Sequence, residues 1–187
     1  AAAPPPRRPR APAAAAPAAA AAAAAVPPAV AWVHAAATAY AAALFGLMLV
    51  LPSRPVTARV CGSPWSLAPL CVAYAALLAA SWAPDTLQLL LPGSLEAGLS
   101  GGFKPQFFPE LSGVMTLLSR PAAAASAWLH LLVVDLFAAA LVWRDALDNG
   151  VPARHSVALA AVFGPLGLAC HHLTAAPLGA GGGEEGS

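Results

Sequence analysis

Four stretches of roughly 20 residues, at positions 30–51, 65–83, 122–143 and 155–174, are apolar and almost free of charge. This constrains the fold more than any other feature, because an α-helix needs about 20 such residues to cross some 30 Å of hydrocarbon. Residues that stop or start helices bound each stretch. Pro52 and Pro55 follow the first, Pro64 and Pro84 flank the second, Pro121 opens the third, and Asn149-Gly150 with Pro152 precede the fourth. The pattern predicts an all-α four-transmembrane-helix bundle with adjacent spans antiparallel. Composition excludes a water-soluble enzyme: 9% of residues are charged, against roughly 25% in an ordinary soluble domain. Ala35, Ala39 and Ala43 in the first span are small enough to let a neighbouring helix approach closely, although a plain bias toward alanine explains them as well.

Outside the spans the chain divides simply. Residues 1–28 are almost entirely Ala and Pro with Arg7, Arg8 and Arg10, and no acid, a low-complexity tail of the kind left by a transit peptide. The membrane domain is expected at 29–174, and residues 175–187, rich in Gly and closing on Glu184 and Glu185, read as a disordered tail. Cys61, Cys71 and Cys170 have no metal-ligand spacing and are odd in number, so reduced structural thiols are expected. A net charge of +1 with no basic cluster beside a folded region makes nucleic acid an unsuitable partner.

The loop from Pro84 to Pro121 is too long for a turn. Phe107, Phe108, Leu111, Met115 and Leu118 recur in it at helical spacing, which predicts a short interfacial helix near residues 109–119, opened by Pro109 and Glu110. Loops one and three carry Arg54, Arg59, Arg144 and Arg154 against Lys104 and Arg120 in loop two. The first pair of loops is thereby expected on the positive-inside face.

Ionisable groups inside apolar spans are costly, so His34, His130, Asp135, His171 and His172 each need a reason to be there. His130 and Asp135 lie five residues apart, about 140° in azimuth on one helix, and must find partners elsewhere. With spans three and four antiparallel, Trp143 stands level with His155, Asp135 with Phe163 and Pro165, and His130 with Leu168. A protonated Asp135 is then placed to donate to the Ala161 carbonyl that Pro165 leaves without an amide. The same reckoning gathers His34, His130 and His171 in one layer toward loop two, where convergence with a carboxylate would make a metal site, though the spacing is no known ligand motif. At the opposite end Arg144, Asp145, Asp148, Arg154 and His155 form a polar group that reads as a solvated cap, with Arg144 and Asp148 one turn apart. No nucleophile triad, phosphate loop or dinucleotide fingerprint occurs, and no cofactor is called for.

Three blocks of sequence resemble a known family. YAALLAASWAPDT (residues 74–86) is similar to the YAYLLYLSWTPDT-type segment of the abscisic-acid-deficient-four family, the plant and algal neoxanthin synthases. FFPELSGVMTLL (107–118) with SAWLHLLVVDLFAA (126–139) resembles that family's long loop and third span, and ARHSVALAAVFGPLGLACH (153–171) its fourth. With the weaker LMLVLP (47–52), the likeness runs from about residue 44 to 174. One departure stands out: the Arg that usually follows DLF in the family is replaced by AAAL (138–141), and Arg144 is the nearest guanidinium. Residues 98–104 also lengthen loop two.

The resemblance implies a multi-pass protein of a chloroplast membrane, envelope or thylakoid, that isomerises the epoxide carotenoid violaxanthin to the allenic neoxanthin on the way to abscisic acid. Such a reaction needs an acid near the epoxide oxygen and a base near the adjacent polyene carbon, with no net redox change. Its partners would be the carotenoid, the bilayer and other carotenoid-pathway enzymes. The rival reading is a non-catalytic carotenoid-binding or scaffold subunit that assists another enzyme. The residues expected to line the slot are His130, Asp135, His155 and His171, with the layer of His130 and His171 favoured because those histidines lie inside the apolar spans.

Overall fold

A computed structural model describes residues 26–90 and 109–179. The described residues are helical or irregular, with no strand among them. Helix α1 (Pro28–Val50) leads into a short α2 (Pro55–Cys61), a 3₁₀ turn (Pro64–Leu67) and α3 (Ala68–Ser81). Then come α4 (Thr86–Leu90), α5 (Leu111–Leu118), the long α6 (Pro121–Asn149), α7 (Arg154–Phe163) and α8 (Pro165–Gly179). Proline opens α1, α2, the 3₁₀ turn, α3 and α6, where its missing amide costs nothing. Helix α6 ends at Gly150, whose φ of 67° is the left-handed closure glycine permits.

Helix α6 is the axis of the molecule and packs against α1, α3, α7 and α8. Its buried face runs Leu129, Leu132, Leu136, Ala139 and Val142, three or four residues apart, with Trp143 beside the last, and meets Ala41, Leu44 and Met48 of α1 and Leu70 and Leu77 of α3. The alanines that permit close approach are Ala37 and Ala41 on α1, Ala139 on α6 and Ala160 on α7. Ala35, Ala39 and Ala43, the ones the spacing suggested, are exposed on the other side of α1.

Three segments are long and apolar enough to cross a membrane: Pro28–Val50, Pro64–Ser81 and Pro121–Asn149. The fourth expected span is not one helix. At Gly164 the chain turns back, and α8 runs antiparallel beside α7, so that His155 and Thr174, 19 residues apart in sequence, bond side chain to side chain at 3.1 Å. A straight helix would hold them about 28 Å apart. The turn needs glycine three ways. Gly164 has φ 34° with ψ −90°, a side chain there would collide with the Asp135 carboxyl, and a side chain at Gly167 would collide with Ala160 of the facing helix.

Both ends of the bundle are tied. At one end the Tyr40 hydroxyl donates to the Ser66 carbonyl at 2.9 Å, the Trp143 indole donates to the Pro52 carbonyl at 3.0 Å, and Arg144 donates to the Gly62 carbonyl at 2.9 Å. Arg144 thus secures loop one rather than pairing with Asp148. At the other end Arg120 grips Asp85 with two bonds, of 3.0 and 2.5 Å, and the Thr86 hydroxyl accepts from the Ala83 amide at 2.9 Å. The guanidinium of Arg120 holds the Asp85 carboxyl below the usual carboxylate range. Helix α5 forms within the expected 109–119 interval, starting at Leu111 after Glu110. Gly113 is pressed against the Leu89 carbonyl of α4, while Leu111 and Met115 face outward, 74% and 65% exposed. Phe107 and Phe108 lie outside the described residues.

Candidate functional site

The return of α8 along α7 moves His171 from the place the spacing gave it. His171 stands beside the last turns of α6, where its Nε2 lies 2.7 Å from Oδ2 of Asp145. It does not reach the level of Ala127, and the expected layer of His34, His130 and His171 does not form. His130 rests against the Tyr74 ring at 5.6 Å between centroids, and His34 against Trp128 at 6.1 Å, both nearer the far end of α6. Among the described residues no three His, Cys, Asp or Glu side chains converge as a metal site would require.

His171 is 1% exposed. Its Nε2–H donates to Asp145, whose other oxygen accepts from the Asn149 amide at 3.0 Å. Held this way, the imidazole has Nδ1 left over, and that nitrogen is buried with no hydrogen-bond partner among the described residues. A buried nitrogen with a free lone pair is costly in a structural histidine; in a proton acceptor it is the working atom.

One turn further along α8, on the same face, lies Thr174. Its hydroxyl donates to the Cys170 carbonyl at 2.9 Å and so is left to accept from Nε2–H of His155 at 3.1 Å. That fixes the tautomer of a second imidazole at the same end of the bundle. His155 also lines an open cleft of about 500 Å³ between the ends of α1, α6 and α7, walled by Met48, Trp143, Leu147, Val151 and Val157. Beside these apolar side chains the wall carries Ser53, Arg154 and His155.

Of the four residues the sequence singled out, His155 and His171 are brought to one end, whereas His130 stays near the other and Asp135 sits at the turn of the hairpin. Asp135 is half-buried against Gly164, so its expected neighbourhood with Phe163 and Pro165 is observed, but its carboxyl makes no hydrogen bond to a described residue and does not cap Ala161. Asn149 and Thr174 were not singled out, and Asp145 entered only as a member of the polar group at that end. Asp145 was set in the solvated cap because a charge at a helix end normally is solvated. The only hint to the contrary was the Gly164-Pro165 pair, a dipeptide that marks turns more often than helix interiors.

The described residues thus define an all-helical bundle with three segments long and apolar enough to cross a membrane and a histidine–carboxylate pair at one end. The chain belongs to the ABA DEFICIENT 4-like family, whose sequence profile matches residues 31–171. Over 144 residues it is 38% identical to Protein ABA DEFICIENT 4, chloroplastic, of Arabidopsis thaliana, a match that covers 77% of this chain and 60% of the relative. The chain thus spans about 60% of the length of the curated relative it matches. No solved structure matches it.

Proposed function

We propose that this protein is a carotenoid isomerase of a chloroplast membrane, converting violaxanthin to neoxanthin, and that His171, oriented by Asp145, is its base. Membership of the ABA DEFICIENT 4-like family and the likeness to a chloroplastic relative support the pathway and the compartment. The observation that carries the chemical assignment is the buried Nδ1 of His171, which has no partner among the described residues while Nε2 is anchored on Asp145.

In the reaction the epoxide C–O bond breaks, the oxygen takes up a proton and becomes a hydroxyl, and a proton leaves the neighbouring polyene carbon as the allene forms. Electrons balance without an outside oxidant or reductant. His171 is 1% exposed and not part of the cleft lining, so in this reading a displacement of α8 opens Nδ1 to the substrate before it takes the carbon proton, and the carboxylate of Asp145 stabilises the imidazolium that results, as a carboxylate does behind a catalytic histidine. His155, at the rim of the cleft, acts in its doubly protonated form: Nε2–H stays on Thr174, Nδ1–H supplies the proton to the epoxide oxygen, and the proton taken up by His171 restores it at the end of the cycle. The cleft accommodates one end ring of a carotenoid, while the polyene extends along the apolar flank of the bundle.

The test is turnover by the purified full chain in liposomes loaded with violaxanthin. Neoxanthin should form without any added protein, and His171→Ala should abolish it while carotenoid binding persists. Binding with no turnover by the unaltered chain would reject the enzyme in favour of a carotenoid-binding subunit. Full activity of His171→Ala would reject the base assigned here.

A further inference from the structure

The hairpin of α7 and α8 is polar at one end and apolar at the other. Its open end carries Arg154, His155 and Thr174 beside Asp145 of α6, whereas its tip exposes Val162, Phe163 and Leu166, which are 66%, 58% and 54% exposed. An apolar tip of this kind is unsuited to water and suited to hydrocarbon. Its depth follows from what it touches. Gly164 rests on Asp135, the middle residue of α6, which runs from Pro121 to Asn149 and is the longest segment fit to cross. From Gly164 back to His155, or on to Thr174, is about 14–15 Å of helix at 1.5 Å per residue, half the hydrocarbon thickness of about 30 Å.

Irregular backbone is tolerated at such depth only where its polar groups are satisfied and protein covers it. Gly164, where the helix breaks, meets both: it is buried against Asp135, its amide donates to the Ala160 carbonyl at 2.9 Å, and its carbonyl accepts from the amides of Gly167 at 3.0 Å and Leu168 at 3.4 Å. Pro165 has no amide to satisfy. Exposed Trp65 near one end of the bundle, with Trp32 and Trp82 near the other, marks the two interfaces. The open end of the hairpin lies at the end marked by Trp65, together with Arg54, Arg59 and Arg144 of loops one and three.

We infer that α7 and α8 enter and leave the bilayer through the same face, as a re-entrant hairpin, so that the chain crosses three times and its described termini lie on opposite faces. The inference is independent of the proposed reaction. One consequence for the candidate site is that His155, His171 and Asp145 are reached from the face of loops one and three.

Sidedness tests it directly. In membrane vesicles of uniform orientation, Ser53→Cys, Ser119→Cys and Ala176→Cys are made one at a time in a full chain carrying Cys71→Ser and Cys170→Ser, with the buried Cys61 kept. A membrane-impermeant maleimide should label Ala176→Cys from the side that labels Ser53→Cys and opposite to Ser119→Cys. Labelling from the Ser119→Cys side would overturn the inference in favour of four crossings. A second variant, His155→Cys with Thr174→Cys, checks the hairpin itself. A short bismaleimide should join the two thiols within one chain, and failure to do so in membrane-inserted protein would remove the fold on which the topology rests.

Discussion

At the residue scale, two side-chain pairs define the two ends of the bundle, and they make separate predictions. Asp145 fixes the tautomer of His171, so Asp145→Asn should lower turnover by about 10²-fold, within the range that loss of a positioned acid or base produces, with carotenoid binding retained. His130→Ala should leave activity near its starting value, because His130 packs on Tyr74 near the far end of α6. Both follow from the rate of neoxanthin formation, measured chromatographically in liposomes. Asp85 and Arg120 act instead on stability. The carboxyl of Asp85 is held below its unfolded value near 3.9, so its contribution is fully present above that value and disappears as pH falls through the lower folded value. Asp85→Asn should therefore lower the thermal midpoint in detergent equally at pH 6 and pH 8, and the gap from the unaltered chain should close below about pH 4. A gap that persists in acid would contradict the ion pair.

At the scale of elements, the difference between a fourth span and a hairpin comes down to Gly164. The apolar run from 155 to 174 has the length and composition of a span, and nothing in its hydropathy distinguishes one helix of 20 residues from two half-length helices folded together. What separates them is a backbone at φ 34° in contact with Asp135. Gly164→Ala should destabilise the protein by about 1–3 kcal/mol, through a conformation that L side chains avoid together with the collision with the carboxyl. Adding Asp135→Ala should recover part of that loss and not all of it, because removing the carboxyl relieves the collision and leaves the dihedral strain. Thermal midpoints of the four proteins in one detergent form the cycle that measures this. Full recovery would show that contact alone had mattered. The short α5 was legible from its stripe of Leu111, Met115 and Leu118, whereas its seat on α4 was not, since Gly113 against the Leu89 carbonyl has no sequence signature.

At the scale of the molecule, the bundle buries its small and branched residues along α6 and leaves Trp32, Val72, Leu131, Phe137 and Leu173 facing outward. An apolar outer surface this wide is suited to hydrocarbon around it. The protein should remain with the membrane through alkaline carbonate and high salt, and release by either treatment would contradict an integral protein.

The helical class and the membrane character were determined by the sequence, because they depend on local quantities: twenty-odd apolar residues in succession, prolines at their starts, Asn149-Gly150 at the close of α6. Nearness to Asp135 was also legible for Phe163 and Pro165, since antiparallel neighbours joined by a short loop must share levels. The site was not. Whether His171 lies beside Ala127 or beside Asp145 turns on the direction α8 takes after Gly164, and that direction is set by contacts between residues distant in the chain: Gly164 on Asp135, Gly167 on Ala160, Thr174 on His155. Periodicity reports which face of a helix is apolar and carries no record of where the helix reverses, so only the tertiary structure could join the two histidines at one end of the bundle.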